Sequence, residues 1–154
     1  MEDAPELVRR ARLDAGLTQA ELARIVGIQQ PSLAQIESGR RAVSEEMLTR
    51  LLEAAGYRPS LALEAHADAI VVIGRRRGLD NLRVFGSALH GGDGFDSDID
   101  LVFTPRVGAD LFDVALFVAE VEDLAGFPVD AVSDRSAAAR HGALRQALES
   151  AVPL

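Results

Sequence analysis

The chain has 154 residues, with 16 basic residues that are all arginine, 24 aspartates and glutamates, no cysteine and a formal net charge of −8. A hydrophobic fraction of 48% is that of a folded protein, and the missing cysteine excludes a disulfide framework, a cysteine-ligated zinc site and thiol catalysis. The acidity argues against nonspecific coating of nucleic acid. No apolar run reaches the ~18–20 residues that span a bilayer, and the start Met1-Glu2-Asp3 is unlike a signal peptide, so the cytoplasm is the expected compartment.

The length fits one ordinary domain or two small ones, at roughly 100–200 residues per domain. Charge favours two. Residues 1–58 carry eight arginines and nine acids, a net of −1, whereas residues 59–154 carry eight arginines and fifteen acids, a net of −7. The first segment can present a local basic face to DNA phosphate. The acids of the second are better suited to holding a cation. A boundary is expected near Tyr57-Arg58-Pro59-Ser60, where a helical pattern stops at Gly56 and a proline follows.

In chain order, Glu6–Ala15 repeats apolar residues at helical spacing and stops at Gly16. Thr18 with Glu21 three residues on reads as a capping box opening a helix that runs to Val26 and ends at Gly27. Pro31 suits the first turn of the next helix, Pro31–Glu37, because proline lacks the N–H that would be orphaned there. Ser44 caps a further helix to Ala55. Two short helices joined by a glycine-containing turn inside a four- or five-helix bundle describe a helix-turn-helix.

These residues also resemble a known family. Leu17-Thr18-Gln19-Ala20-Glu21-Leu22-Ala23, Gly27, Gln29-Gln30, Ser32 and Ile36-Glu37-Ser38-Gly39-Arg40 are similar to the lambdoid phage repressor (Xre-type) helix-turn-helix domains. The recognition helix of such a domain puts its N-terminal residues on base edges in the major groove. Gln29, Gln30 and Gln35 suit that role, since a glutamine amide pairs bidentately with adenine. Thr18 and Gln19 begin the preceding helix, where a phosphate can dock. Ser32 is expected beside them, and Arg40 and Arg41 are expected on phosphates. The resemblance implies that Arg12 and Glu37 form a partly buried ion pair of structural rather than DNA-contacting use.

In residues 59–154, Leu61–Leu63 alternates with Ser60 and Glu64 and reads as an extra strand or a linker. Ala65–Arg77 reads as a helix whose terminal Arg75-Arg76-Arg77 complement its dipole rather than bind phosphate. Leu82–Phe85 is a short strand ending at Gly86-Ser87. A loop or short helix follows through Phe95. A strand begins in Asp96-Ser97-Asp98-Ile99-Asp100 and runs to Phe103. Asp110–Leu124, Val129–Val132 and Ser136–Ser150 read as helix, strand and closing helix, and His66 and His141 as ordinary helix residues.

Two features ask for chemistry. Asp96, Asp98 and Asp100 alternate, so on a strand they share a face and repel one another; a divalent cation with oxygen ligands removes that conflict. Gly86-Ser87 at a strand end lets backbone and hydroxyl approach a phosphate. The two together, Gly86-Ser87 followed by Asp96-Ser97-Asp98-Ile99-Asp100, resemble the nucleotidyltransferases related to DNA polymerase beta, and in particular the minimal nucleotidyltransferases. The resemblance covers about residues 65–154 and implies a small mixed sheet flanked by helices. The expected fold is therefore multidomain: an all-α helix-turn-helix domain at 1–58 and an α/β minimal nucleotidyltransferase domain at 59–154.

That resemblance further implies Mg²⁺-dependent nucleotidyl transfer from ATP. Asp98 and Asp100 would hold metal, and Asp130 would hold a second metal or activate the acceptor hydroxyl. Gly86 and Ser87 would bind the triphosphate, and Asp96 would support rather than ligate. Ala88 and His90 stand where the family often carries arginine. His90 offers one hydrogen bond and partial charge, and Asp93 adds unwelcome negative charge, so triphosphate affinity is expected to be low unless Arg83, Arg106 or a partner protein compensates. Small proteins of this kind serve as antitoxins that silence a partner, often a HEPN-type ribonuclease, by adenylylating a hydroxyl. At this length a large acceptor domain is not expected, and the expected acceptor is a protein. The expected protein is an antitoxin that also represses its own operon as a homodimer on operator DNA. The alternatives are a DNA-binding regulator whose transferase domain only senses nucleotide or partner, and a toxin acting on tRNA or another target.

Overall fold

The computed structural model describes residues 4–154, which separate into two compact units, one ending at Tyr57 and one beginning at Arg58. The expectation drawn from Met1-Glu2-Asp3 lies outside the described residues. Among the described residues no helix is long and apolar enough to cross a membrane.

The first unit is built from α1 (Ala4–Asp14), α2 (Gln19–Val26), α3 (Gln30–Glu37) and α4 (Glu45–Ala54). Local chemistry sets their starts. The Thr18 hydroxyl accepts the Glu21 N–H at 3.2 Å, and the Glu21 carboxylate accepts the Thr18 N–H at 2.8 Å. Ser44 accepts the Met47 N–H in the same way, and Pro31 occupies the first turn of α3. Val8, Leu22, Leu33 and Leu51, one from each helix, are at most 1% exposed and form the centre of the core. Each contributes about 1.5–3 kcal/mol by leaving water.

The second unit runs α5 (Pro59–Arg76), β1 (Leu79–Phe85), a 3-10 turn (Ser87–Leu89), β2 (Ile99–Pro105), α6 (Leu111–Ala125), β3 (Val129–Ser133), a 3-10 turn (Ala138–Arg140), α7 (Gly142–Glu149) and β4 (Val152–Pro153). The strands form one mixed sheet in the order β3-β2-β1-β4, with β2 and β3 parallel and both β1 pairings antiparallel. Helix α6 is the crossover that the parallel pair requires. Helix α5 lies close on β1: a Cβ at Gly74 would come within 2.6 Å of Leu82 Cδ1 and 2.9 Å of the Leu79 carbonyl oxygen. Arg76 and Arg77 both hold Glu120 of α6, so the cations at the end of α5 tie two helices together.

Several sequence expectations are corrected. Leu61–Leu63 is neither strand nor linker but part of α5, which starts at Pro59, and Ala62 and Leu63 face the core. Strand β2 starts at Ile99, not within Asp96–Asp98. The Gly94 N–H donates to Ser97 Oγ and the Ser97 N–H to the Gly94 carbonyl, which curls that segment into a turn. Asp96 therefore does not alternate with Asp98 and Asp100 along a strand. The closing helix is broken at His141, which is extended with φ −137° and ψ 151°, so His141 is not a helix residue. Strand β1 begins at Leu79, three residues early, with an irregularity between Asp80 and Arg83 where Asn81 takes φ +51°. Strand β4 had no signal in the hydrophobic pattern; it is two residues long and contains Pro153.

Candidate active site and DNA-reading face

Pairing across three strands assembles the acidic site. Phe85 on β1 is opposite Asp100 on β2, and Asp100 is alongside Asp130 on β3. Asp98 stands one residue before β2, and Asp98 and Asp100 flank Ile99, which is fully buried. Asp98 and Asp130 are exposed and Asp100 is half-buried. Burial first, and then the negative charges of Asp130 and Asp98, push the Asp100 carboxyl above the usual aspartate range.

Gly86 follows Phe85 directly and has φ +77° and ψ −152°, a conformation that essentially only glycine adopts. A Cβ there would lie 2.2 Å from Asp100 Oδ2 and 3.0 Å from its Cγ. The absent side chain is what lets the Asp100 carboxylate lie against the backbone. Ser87 opens the 3-10 turn, and its carbonyl accepts the N–H groups of His90 and Gly92, both at 3.2 Å. His90 ends that turn and is exposed.

The cations expected to compensate for the arginine-free loop are already engaged. Arg106 makes a two-pronged pair with Asp80 at 2.6 and 2.7 Å, at the Leu79–Pro105 end of the ladder and away from the Phe85–Asp100 end. Arg83 donates to Asp134 at 2.9 Å and to the Asn81 carbonyl at 3.1 Å. Asp93 is also corrected. It is not a free negative charge beside the loop: its side chain is 0% exposed, and Oδ2 accepts the Ser60 N–H at 2.7 Å. Sequence reading missed this tie because its partner lies 33 residues away.

The second residue set is in the first unit. Arg12 Nε donates to Glu37 Oε1 at 2.7 Å and its second terminal nitrogen to Oε2 at 2.9 Å, while Arg12 also donates to the Leu17 carbonyl. Burial pushes the Glu37 carboxyl up, but hydrogen bonds from Arg12 and Gln19 and the Arg12 charge outweigh it and hold the group below its ordinary range. Gln19 Nε2 donates to Glu37 Oε2 at 2.9 Å, and Gln19 Oε1 accepts from Gln30 Nε2 at 3.0 Å. Both ends of the Gln19 amide are thus occupied. The Thr18 hydroxyl is committed to the capping box. Gln29, Gln30, Gln35 and Arg40 are exposed, and Gln29 and Ser32 line a groove of about 450 Å³ together with Arg41, Ser44, Ile36 and Met47.

Two comparisons with known proteins bear on these residue sets. Residues 8–61 match the helix-turn-helix family. A solved structure provisionally assigned as a minimal nucleotidyltransferase is 36% identical, with a TM-score of 0.56; the match covers 64% of this chain and 98% of that one. The chain belongs to the minimal nucleotidyltransferase family. No curated protein matches it.

As a minimal nucleotidyltransferase fused to a helix-turn-helix, the chain invites a test of whether its carboxylates suit Mg²⁺. Among the described residues no three acidic or histidine side chains are gathered into a ready-made metal cage. Mg²⁺ does not require one: it is typically held by one or two carboxylates plus substrate phosphates, through oxygen alone. Asp98, Asp100 and Asp130 offer only oxygen, and the upward pressure on Asp100 from its two neighbours is what a cation would relieve. In donor chemistry, oxygen alone, these carboxylates are of the kind that Mg²⁺ takes.

Proposed function

We propose that this protein is the antitoxin of a toxin–antitoxin module, represses its own operon, and transfers AMP from ATP to a hydroxyl of its partner toxin in a Mg²⁺-dependent reaction. The observation that carries this reading is the row Phe85–Asp100–Asp130 with Gly86 laid against Asp100, on the same chain as a helix-turn-helix. Asp98 and Asp100 would hold Mg²⁺. Bound there, the ion would neutralise charge on the triphosphate and on the leaving pyrophosphate. Gly86 and Ser87 would seat the phosphates. Asp130 would take the proton of the attacking hydroxyl as its oxygen bonds to the α-phosphorus and the bond to pyrophosphate breaks. The helix-turn-helix would bind operator DNA as a homodimer, since half-sites lie about one helical turn apart.

The test is to incubate the product of the adjacent gene with this protein, Mg²⁺ and ATP and to read its intact mass. An Asp98→Asn/Asp100→Asn variant is the control. Gain of one or more nucleoside monophosphates, absent with the control, is the expected result. A stable complex and operator binding without any mass gain would overturn the transfer reading.

A second reading is favoured by one observation: Arg83 and Arg106 are both held by other carboxylates, and the loop from Ala88 to Gly94 carries no arginine. In that reading the protein is a DNA-binding regulator whose site senses nucleotide without transferring it. ATP binding that alters operator affinity, with no adduct on any partner, supports it.

A further inference from the structure

Between Ser87, the candidate phosphate contact, and Asp98, the candidate metal ligand, the chain has no regular structure beyond the 3-10 turn at Ser87–Leu89. Three residues of this stretch are Gly91, Gly92 and Gly94, and glycine loses more backbone freedom on ordering than any other residue. A Cβ at any of the three would meet nothing within 4 Å, so neighbouring atoms do not confine the loop at those positions. Asp93 sits among them and is the exception. Its carboxylate is enclosed, accepts the Ser60 N–H at 2.7 Å, and has Arg58 Nε at 3.9 Å.

Helix α5 needs that carboxylate. Its N-cap residue, Arg58, provides no side-chain cap, and Pro59 at the first position has no N–H. Ser60 therefore carries the first N–H of the helix, and Asp93 satisfies it from 33 residues further along the chain. A carboxylate at a helix N-terminus meets both an orphan donor and the positive end of the dipole. The cap works in both directions: it completes the helix and fixes the glycine loop to an 18-residue rigid element. Of the other ties two are local and one, Phe95 to Phe127, is also long-range. Gly94 and Ser97 bond each other, Phe95 packs edge-on against Phe127 at 6.2 Å, and His90 and Gly92 bond the Ser87 carbonyl.

We infer that Asp93 is a positioning residue: by capping α5 it holds the Gly91–Gly94 loop so that Ser87 and Asp98 stand at the separation a metal-bound nucleoside triphosphate requires. This rests on the nucleotidyl-transfer reading above. Freeing the loop would lower the fraction of molecules competent to bind nucleotide, and the apparent dissociation constant rises by that same factor.

The experiment uses the full chain and two variants, Asp93→Ala and Asp93→Asn. Loss of the cap in Asp93→Ala should raise the KM for ATP by about five- to ten-fold, the equivalent of one helix cap, with a smaller change in kcat. Hydrogen exchange of residues 87–98 should accelerate, and that of α2–α4 should not. Asp93→Asn keeps an acceptor for Ser60 while losing the charge and exchanging the second oxygen for an NH2 group, so the rise in KM should shrink to about two-fold. A role in stability alone would lower the active fraction, and so kcat, at constant KM. An unchanged KM, or unchanged exchange of 87–98, in Asp93→Ala overturns the inference; should that variant not fold, wild-type KM and wild-type loop exchange in Asp93→Asn do so. If the wild-type protein transfers no nucleotide, the transfer reading fails, and the exchange of 87–98 still decides whether Asp93 orders the loop.

Discussion

The carboxylate of Asp100 occupies the space that a side chain on residue 86 would need: a Cβ at Gly86 would stand 2.2 Å from Asp100 Oδ2. Gly86 also has φ +77°, so two independent constraints disfavour any side chain there. Gly86→Ala should displace the Asp100 carboxylate and strain the backbone, at a cost of about 1–3 kcal/mol in stability. Since the displaced group is the candidate metal ligand, transfer should fall by about 100-fold or more. A melting curve and the intact-mass assay read the two effects. Wild-type activity in Gly86→Ala would show that the Gly86–Asp100 contact is not part of the site.

Asp100 sets a pH dependence. Its carboxyl is raised by burial and by the charges of Asp130 and Asp98. For the metal-free protein, the stability linked to this group is present at pH below the unfolded value and is lost as pH rises through the raised folded value. Metal binding runs the other way, because a ligand carboxylate must be ionised. Mg²⁺ affinity should therefore decline with falling pH at a point above the ordinary aspartate value of ~3.9. Asp130→Asn removes one repelling charge and should move the decline to lower pH. Calorimetric Mg²⁺ titrations across pH check both shifts.

The Arg12–Glu37 pair should dominate the stability of the first unit. The side chains are 10% and 3% exposed, and removing Arg12 leaves the buried Glu37 charge with the Gln19 hydrogen bond but no counter-charge bonded to it. Arg12→Ala should cost about 3–5 kcal/mol. The Glu37 carboxyl lies below its ordinary range, so the stability it contributes is present above the unfolded value of ~4.3 and is lost as pH falls through the lowered folded value. Hydrogen exchange of residues 4–57, followed from neutral to acid pH, should show this unit opening in that window. Exchange independent of pH there would contradict it.

DNA binding should separate glutamine from arginine. Gln29 and Gln30 are exposed at the start of α3. Replacing either by alanine should cost about 1–3 kcal/mol on the preferred operator and little on unrelated DNA. Arg40→Ala should weaken both by a similar factor and reduce the salt slope by about one. Gln19→Ala should weaken binding indirectly, because Gln19 holds Gln30 at 3.0 Å and is itself held by Glu37. Titrations at two salt concentrations, on operator and scrambled DNA, distinguish these outcomes.

What was legible in the sequence was short-range. The Thr18–Glu21 capping box, the Ser44 cap and the first-turn Pro31 each act within a few residues, so helix starts in the first unit can be read directly. Gly86-Ser87 and Asp98-Ile99-Asp100 are likewise local patterns that point to phosphate and cation chemistry. Tertiary structure alone decided the rest. The parallel register of β2 and β3 puts Asp130 beside Asp100 across 30 residues of chain, and no local preference encodes a register. The first N–H of α5, that of Ser60, is capped by Asp93 from 33 residues away, so Leu61–Leu63 reads as a strand or a linker when its own neighbours are all that is considered. Arg106 looks like a free cation until Asp80, 26 residues away, takes it at the far end of the sheet. A side chain's charge is fixed by its type, but what that charge does depends on which distant group the fold brings to it.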